Sequence, residues 1–304
     1  MSRREITNVP ASVHARLLRR AKEQGESFDQ VLQYFAIERF LYRLSLTEWA
    51  ERFVVKGAIM LRAWGTPLGR PTRDIDFLGD IDNSPAAVEL AVRECLAVEY
   101  PDDGLAFDRE IETSQINVAD RYPGVRAVIR GHLDGGRFKL QLDVGIDDAV
   151  VPGPEWVDYP TLLDLKAPRI LTYRPPTAVA EKFEAMVSKG LANSRMRDFY
   201  DIWLLSTVRS HDGAQLAAAL GATFAHRGTP LPSEVPPALT AAFHASPDVQ
   251  ARWRAFLMRG RVDAPAELSE VCEAITAFVM PPTAAAASGD AFLLTWDPRA
   301  GWAM

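Results

Sequence analysis

Residues 69–80, GRPTRDIDFLGD, place two carboxylates two residues apart in a segment that is typical of a β-strand. Because side chains alternate across a strand, Asp74 and Asp76 lie on one face while Ile75 and Phe77 lie on the other. Two like charges on one face repel each other, although a surface strand can leave both of them solvated. The pair alone therefore does not decide between a functional site and an ordinary charged strand.

A third carboxylate falls on a second predicted strand, RFKLQLDVGI (residues 137–146), whose alternating apolar residues put Asp143 on the polar face. VRAVIRGHL before it is a further predicted strand, and DGG at 134–136 is typical of the hairpin turn between them. Aspartate oxygens suit Mg²⁺ better than zinc, and magnesium is typical of phosphate chemistry. We therefore expect Mg²⁺, or Mn²⁺ in its place, at Asp74, Asp76 and Asp143.

The segment VVKGA ends a predicted strand at Gly57 and leads into a predicted helix, AIMLRAWG. Backbone amides at such a turn can bind phosphate oxygens, with help from Lys56, so Lys56, Gly57 and Ala58 are candidate nucleotide-binding residues. A plain strand-to-helix turn explains Gly57 equally well. The chain also contains no G-x-x-x-x-G-K-[ST] motif of a P-loop.

Two predicted helices in the second half carry further charges. TAVAEKFEAMVSKG (residues 177–190) places Lys182 beside its apolar stripe, and SRMRDFYDIWLLSTV places Asp198 and Asp201 on one face, close to Arg195. Lys182 is either solvated or neutralises phosphates in a cleft. Asp198 is either a helix-dipole carboxylate or a partner of Arg195, and spacing does not separate these alternatives.

The order of predicted elements indicates an α+β protein, with strands and helices in the first part of the chain and helices alone after it. A helical hairpin covers about residues 11–46, a proline-rich stretch at 151–176 marks a boundary, and helices follow to about residue 280. A low-complexity segment and a tail with two tryptophans end the chain. The predicted domains are an N-terminal hairpin (1–48), an α/β core (49–170), a helical C-terminal domain (171–281), and a linker and tail (282–304).

Composition limits the possible partners and location. No continuous apolar run approaches the roughly 18 residues of a membrane span, and the N-terminus lacks the apolar core of a signal peptide. We therefore expect a cytoplasmic protein without a membrane partner, in which Cys95 and Cys272 are buried free thiols.

A net charge of −6 argues against a general nucleic-acid coat protein but allows local basic patches. One candidate patch is RLLRR with Lys22. A second is RWRAFLMRGR (residues 252–261), where Trp253 and Phe256 would add stacking surface beside the arginines. Ordinary solvated helix faces explain both patches equally well.

These pieces together resemble one family, the nucleotidyltransferase-like toxins of the AbiEii type, which include the MenT toxins. The resemblance runs from about residue 15 to about residue 260. It rests on ordered blocks that include RFVVKGAIML, RPTRDIDFLG, YPGVRAVIRGHL, KLQLDVGIDDAV, YPTLLDLKAPRILTY, AVAEKFEAMVSKGLANSRMRDFYDIWLL and TFAHRGTPLP.

The resemblance implies a nucleotidyltransferase core of the DNA polymerase beta superfamily, with a mixed β-sheet flanked by helices, and a helical C-terminal domain after it. It also implies Mg²⁺-dependent transfer of a nucleotide from an NTP. For some members the acceptor is the 3′ end of tRNA, and a cognate antitoxin is the implied protein partner. The implied metal-binding and catalytic set is Asp74, Asp76, Asp143, Lys182 and Asp198, and the implied nucleotide-binding set is Lys56, Gly57, Ala58, Thr72, Arg73 and Arg195. The chain departs from the superfamily at Lys56-Gly57-Ala58, where a hydroxyl residue is usual.

Two other functions stay open on the sequence. The same chemistry can modify a hydroxyl of a protein or a small molecule instead of RNA. Alternatively, the fold can bind a nucleotide without catalysis, although the complete set of acidic residues argues against this.

Overall fold

A computed structural model of the chain describes residues 8–66, 72–118 and 122–304, which form two compact units. The first unit takes in the described parts of Met1–Ala63, Pro71–Asp147 and Trp156–Thr172. The second takes in those of Trp64–Arg70, Asp148–Glu155 and Tyr173–Met304. The N-terminal helices and the sheet therefore belong to one unit. The sequence predicts a turn-rich link from Thr66 to Pro71, and residues 67–71 of this link lie outside the described residues.

The first unit begins with the predicted helical hairpin, α1 (Val9–Gln24) and α2 (Phe28–Leu44). Gly25 ends α1 with φ 66°, a left-handed conformation that glycine adopts without a steric penalty. The Ser27 side chain then accepts a hydrogen bond from the Gln30 amide and caps the start of α2. The two capping residues explain why the chain turns here and confirm the prediction.

Seven strands in the described chain form a mixed sheet in the order β3-β4-β5-β2-β1-β7-β6, which confirms the predicted fold class. Neighbours β2 and β5 run parallel, as do β1 and β7, whereas β1–β2, β3–β4 and β4–β5 run antiparallel. The strands are β1 (Phe53–Lys56), β2 (Asp74–Gly79), β3 (Ala106–Val118), β4 (Tyr122–Leu133), β5 (Gly136–Gly145), β6 (Glu155–Asp158) and β7 (Arg169–Thr172).

The central strands bury one face and leave the other more open. Ile75 and Phe77 of β2 are buried with Leu140 and Leu142 of β5, whereas Asp74 and Asp76 on the opposite face are only half-buried. Helices α2 and α4 (Pro85–Leu96) contact the sheet strands of this unit, and α3 (Ile59–Ala63) is a single short turn after β1. The alternation predicted for the aspartate strand is therefore present.

The second unit is largely helical, as predicted. It contains a small sheet of β8 (His211–Asp212), β9 (Thr295–Asp297) and β10 (Gly301–Ala303) that the sequence analysis did not predict. Its helices are α5 (Pro175–Lys189), α6 (Met196–Val208), α7 (Gly213–His226), α8 (Ala241–His244), α9 (Pro247–Gly260) and α10 (Leu268–Ser288). Cys95 in the first unit and Cys272 in the second are buried and unbridged, and burial raises the pKa of each thiol to about 12.

The predicted linker at residue 282 is instead helical, because α10 continues through Pro281 and Pro282. Pro282 has no N–H to donate to the carbonyl four residues earlier, which belongs to Phe278. The indole N–H of Trp302 donates to that carbonyl at 3.0 Å, and the Trp302 ring stacks on the Phe278 ring with centroids 5.9 Å apart. The C-terminal tail thus supplies the hydrogen bond that the proline removes.

Helix α10 is also the one helix among the described residues that is long and apolar enough to cross a membrane by length and composition. Glu270 and Glu273 interrupt its apolar sequence, so the segment contains no continuous apolar run of the length of a membrane span. The buried face of α10 contacts α6 and α7, which is the usual behaviour of a core helix. The feature is weak evidence for a membrane span.

We expect Trp302→Phe to lower the free energy of unfolding by about 1–3 kcal/mol, because the buried Phe278 carbonyl then lacks its donor while an aromatic ring remains. Chemical denaturation of the full chain measures this. Trp156→Phe, at a residue that is 41% exposed, is the matched control. Equal midpoints for the two variants would show that the indole hydrogen bond is not needed.

Candidate active site

Five strands of the first unit bring a single row of polar residues together across the sheet. Asp76 pairs in register with Lys56 of β1 on one side and with Asp143 of β5 on the other. Asp143 in turn pairs with Arg126 of β4, which pairs with Ser114 of β3. Residues in register across a sheet share a face, so the row places two carboxylates between two cations.

Asp74 belongs to the next row, opposite Gln141, on the same face of β2 as Asp76. The structure therefore brings Asp74, Asp76 and Asp143 together on adjacent strands, as the sequence predicted. Thr72 and Arg73 lead into this strand: the Thr72 hydroxyl donates to the Asp74 carbonyl at 3.3 Å, and Arg73 is exposed. The Thr72 hydroxyl thus supports the start of β2.

Arg126 holds the Asp143 carboxylate in a two-point ion pair that the sequence analysis missed. Its Nε donates to Oδ1 and its guanidinium Nη2 to Oδ2, each at 2.8 Å, and the Gln141 amide donates to Oδ2 at 3.3 Å. The hydrogen bonds to Asp143 raise the pKa of Arg126, and the charges of Asp143, Asp74 and Asp76 raise it further, against an opposing effect of burial. Arg126 is therefore a permanent cation beside the three carboxylates.

Gly57 allows the close approach of β1 to Asp76. Its φ is 78°, and a Cβ at this position would collide with the Asp76 carboxylate. Lys56 before it is buried at the end of β1, on the same face as Asp76. Helix α3 has only five residues and is shorter than the predicted helix AIMLRAWG. The helix dipole that follows Gly57 and Ala58 is therefore much smaller than the sequence suggests.

The side chains at this site have the oxygen ligands that magnesium prefers, because Asp74 and Asp76 present two carboxylates on one face next to Asp143. Within the described residues, however, no three acidic, histidine or cysteine side chains are grouped closely enough to hold a metal. Both oxygens of Asp143 accept hydrogen bonds from the Arg126 guanidinium.

The second unit contains a separate charged cluster. Lys182 Nζ lies 3.2 Å from Asp198 Oδ1 and 2.9 Å from Asp201 Oδ2, and Arg195 Nε lies 2.6 Å from Asp198 Oδ2. Both aspartates are buried, at 3% and 0% side-chain exposure, and Lys182 is 15% exposed. Lys182 is therefore not the solvated lysine of the first alternative, and Asp198 is a partner of Arg195. Asp201 is a member of the cluster that the sequence set omitted.

The residues of the two predicted basic patches differ from one another in exposure. In the first patch Arg19 and Lys22 are exposed, whereas Leu17 is buried. In the second, the predicted stacking role of Trp253 is wrong, because its ring is fully buried and its indole N–H donates to the Pro265 carbonyl at 3.0 Å. The arginines of the second patch, Arg252, Arg254, Arg259 and Arg261, are exposed.

An open sheet face with three aspartates beside a glycine turn is the type of site that nucleotidyltransferases use. A sequence model of the family described as "Nucleotidyl transferase AbiEii toxin, Type IV TA system" matches residues 39–280, well over half of the chain. The chain belongs to this AbiEii family. The family consists of nucleotidyltransferase toxins, which use an NTP as substrate. They belong to type IV toxin–antitoxin systems, in which an antitoxin is the partner.

Comparison with individual proteins adds little to the family assignment. A crystal structure of JHP933 from Helicobacter pylori aligns over 94% of each chain, at 14% identity and a TM-score of 0.44. So low a TM-score supports no conclusion about fold or function. A search of curated proteins finds no significant match.

We expect Gly57→Ala to abolish detectable nucleotidyl transfer and to lower the melting temperature, because the new Cβ displaces the Asp76 carboxylate. Gly25→Ala is the matched control, since Gly25 has a similar φ of 66° but nothing within 4 Å of an added Cβ. Strain in the left-handed region, roughly 1–2 kcal/mol, is then common to both variants. Equal activity of the two variants would contradict the role given to Gly57.

Proposed function

We propose that the chain catalyses Mg²⁺-dependent transfer of a nucleoside monophosphate from an NTP to an RNA hydroxyl, at the 3′ end of tRNA, as the toxin of its toxin–antitoxin pair. The observation that carries this is the juxtaposition of Asp74, Asp76 and Asp143 on adjacent strands of an AbiEii-family chain. The tRNA acceptor is taken from the family resemblance. The exposed arginines of α9 support it as a basic surface for phosphates.

In the proposed mechanism Asp74 and Asp76 would hold the magnesium ion with help from Asp143, and the ion would supply Lewis-acid activation of the α-phosphate when bound. Asp143 orients the acceptor hydroxyl and takes its proton as the α-phosphate is attacked and pyrophosphate leaves. Gln141 keeps the Asp143 carboxylate in position through its amide. Gly57 keeps β1 clear of Asp76, so the carboxylate retains the orientation that the reaction needs.

Lys182 is proposed as the cation that offsets charge on the triphosphate. This role rests on the family resemblance and on the surroundings of Lys182 in its own unit. Two buried carboxylates, Asp198 and Asp201, stabilise its ammonium and restrict its position. Arg195 balances the second oxygen of Asp198, so the proposed role of Asp198 is to position Lys182.

The proposal predicts that wild-type protein with Mg²⁺, total tRNA and one of the four α-labelled NTPs will label the tRNA. Asp76→Asn should reduce the rate by at least about 100-fold, because it removes a metal-binding charge without adding volume beside Gly57. Asp80→Asn, at an exposed position just beyond β2, should retain the wild-type rate.

The same experiment identifies the acceptor, because the label marks the molecule that receives the nucleotide. Label on added protein or on a small molecule, with none on tRNA, would keep the chemistry and overturn the RNA acceptor. Nucleotide binding without any label, in folded protein, would favour the non-catalytic alternative. An unchanged rate for Asp76→Asn would overturn the assignment of the site itself.

Lys182→Met should lower stability by about 3–5 kcal/mol as well as activity, because it removes the ammonium group that lies between the buried carboxylates of Asp198 and Asp201. The double variant Lys182→Met/Asp201→Asn separates these effects, since Asp198 keeps Arg195 as its partner. We expect stability to recover in large part while nucleotidyl transfer stays low. Denaturation midpoints and transfer rates measure the two quantities, and recovery of activity in the double variant would show that Lys182 acts on stability alone.

A further inference from the structure

We infer that Arg126 is a positioning residue that competes with the divalent cation for Asp143, so that metal binding must displace it. The inference rests on the proposed function, because it concerns the same carboxylates. Its basis is the ion pair on the open sheet face, in which the guanidinium occupies both oxygens of Asp143 at 2.8 Å. While this pair is formed, each oxygen of Asp143 accepts a hydrogen bond from the guanidinium, and a divalent ion at Asp143 would lie next to that positive charge.

The position of Arg126 explains how the carboxylates coexist without a metal. Asp76 and Asp143 lie side by side in register, and Asp74 is on the same face. Arg126 interacts with the charges of all three, so its guanidinium provides the positive charge that a divalent ion would otherwise provide. Two cations at one place repel each other, so the metal and the guanidinium compete for this position.

The exposure of the pair allows the exchange. The Arg126 side chain is 38% exposed, whereas Arg43, which pairs with Asp103 elsewhere in the same unit, is 5% exposed. An arginine at the surface can leave its partner for water at little cost, but a buried arginine cannot. Gln141 remains hydrogen-bonded to Oδ2 when Arg126 leaves, so Asp143 keeps its orientation and Oδ1 becomes accessible.

Arg130 offers a matched control on the same strand. It makes a two-point pair with Glu112, and its side chain is 43% exposed against 38% for Arg126, although Glu112 is more exposed than Asp143 (53% against 14%). Its partner, however, is a carboxylate of β3 outside the Asp74, Asp76 and Asp143 set. Replacing Arg130 therefore removes a similar charge from the same face without releasing Asp143.

The test is the affinity of the full chain for Mn²⁺ alone, without nucleotide, measured by electron paramagnetic resonance of the unbound ion. We expect Arg126→Gln to bind Mn²⁺ up to about 5-fold more tightly than wild type, the upper limit set by the strength of an exposed ion pair. Arg130→Gln should bind less than about 2-fold differently from wild type. Arg126→Lys, which keeps the charge but loses the two-point geometry, should lie between wild type and Arg126→Gln.

Every result bears on the inference, and circular dichroism first establishes that each variant is folded. If Arg126→Gln fails to fold, a tighter Mn²⁺ affinity of Arg126→Lys than of wild type is the expected result. Equal or weaker Mn²⁺ binding by the folded Arg126 variants, with binding by wild type intact, overturns the competition and leaves the proposed function standing. Absence of Mn²⁺ binding in all proteins overturns the metal site and the inference with it.

Discussion

The repulsion between Asp76 and Asp143 is the constraint on which the rest of the site depends. The two residues face each other in register on parallel strands, with Asp74 one row away, so three negative charges share a small area of the sheet. Positive side chains at both ends of the row, Lys56 and Arg126, reduce this repulsion. The two cations therefore reduce the electrostatic cost of holding the carboxylates together when no metal is bound.

The register of the sheet makes this arrangement sensitive to single residues. A shift of β2 by one residue would move Asp74 and Asp76 into the core and expose Ile75 and Phe77, so burial of the apolar face fixes the polar face as well. Gly57 adds a second constraint, because the turn after β1 approaches the Asp76 carboxylate too closely for any side chain. The core and the turn together determine the positions of the charged groups before any ligand binds.

Much of this was accessible from the sequence because it depends on local patterns. Alternation predicted the faces of β2 and β5, and Ser27 predicted a helix start through its capping hydrogen bond. The rest depends on contacts between distant segments. Arg126 becomes the partner of Asp143 only through the β4–β5 register. The edge strand β3 has charged residues on its open face. Trp302 donates the hydrogen bond that Pro282 cannot donate. No spacing rule on one segment predicts these contacts.

The two charged clusters follow the same electrostatic rule in different surroundings. Asp198 and Asp201 are almost fully buried, so loss of Lys182 leaves charges that water cannot solvate, and the lysine is firmly held. Asp143 is 14% exposed and its arginine more so, so water can replace the arginine there at little cost. Burial thus holds Lys182 firmly beside Asp198 and Asp201, while exposure of its guanidinium makes the Arg126 pair exchangeable. Under the proposed function, the exchangeable pair lies at the carboxylates that would hold the metal, whereas the fixed pair restricts the position of Lys182.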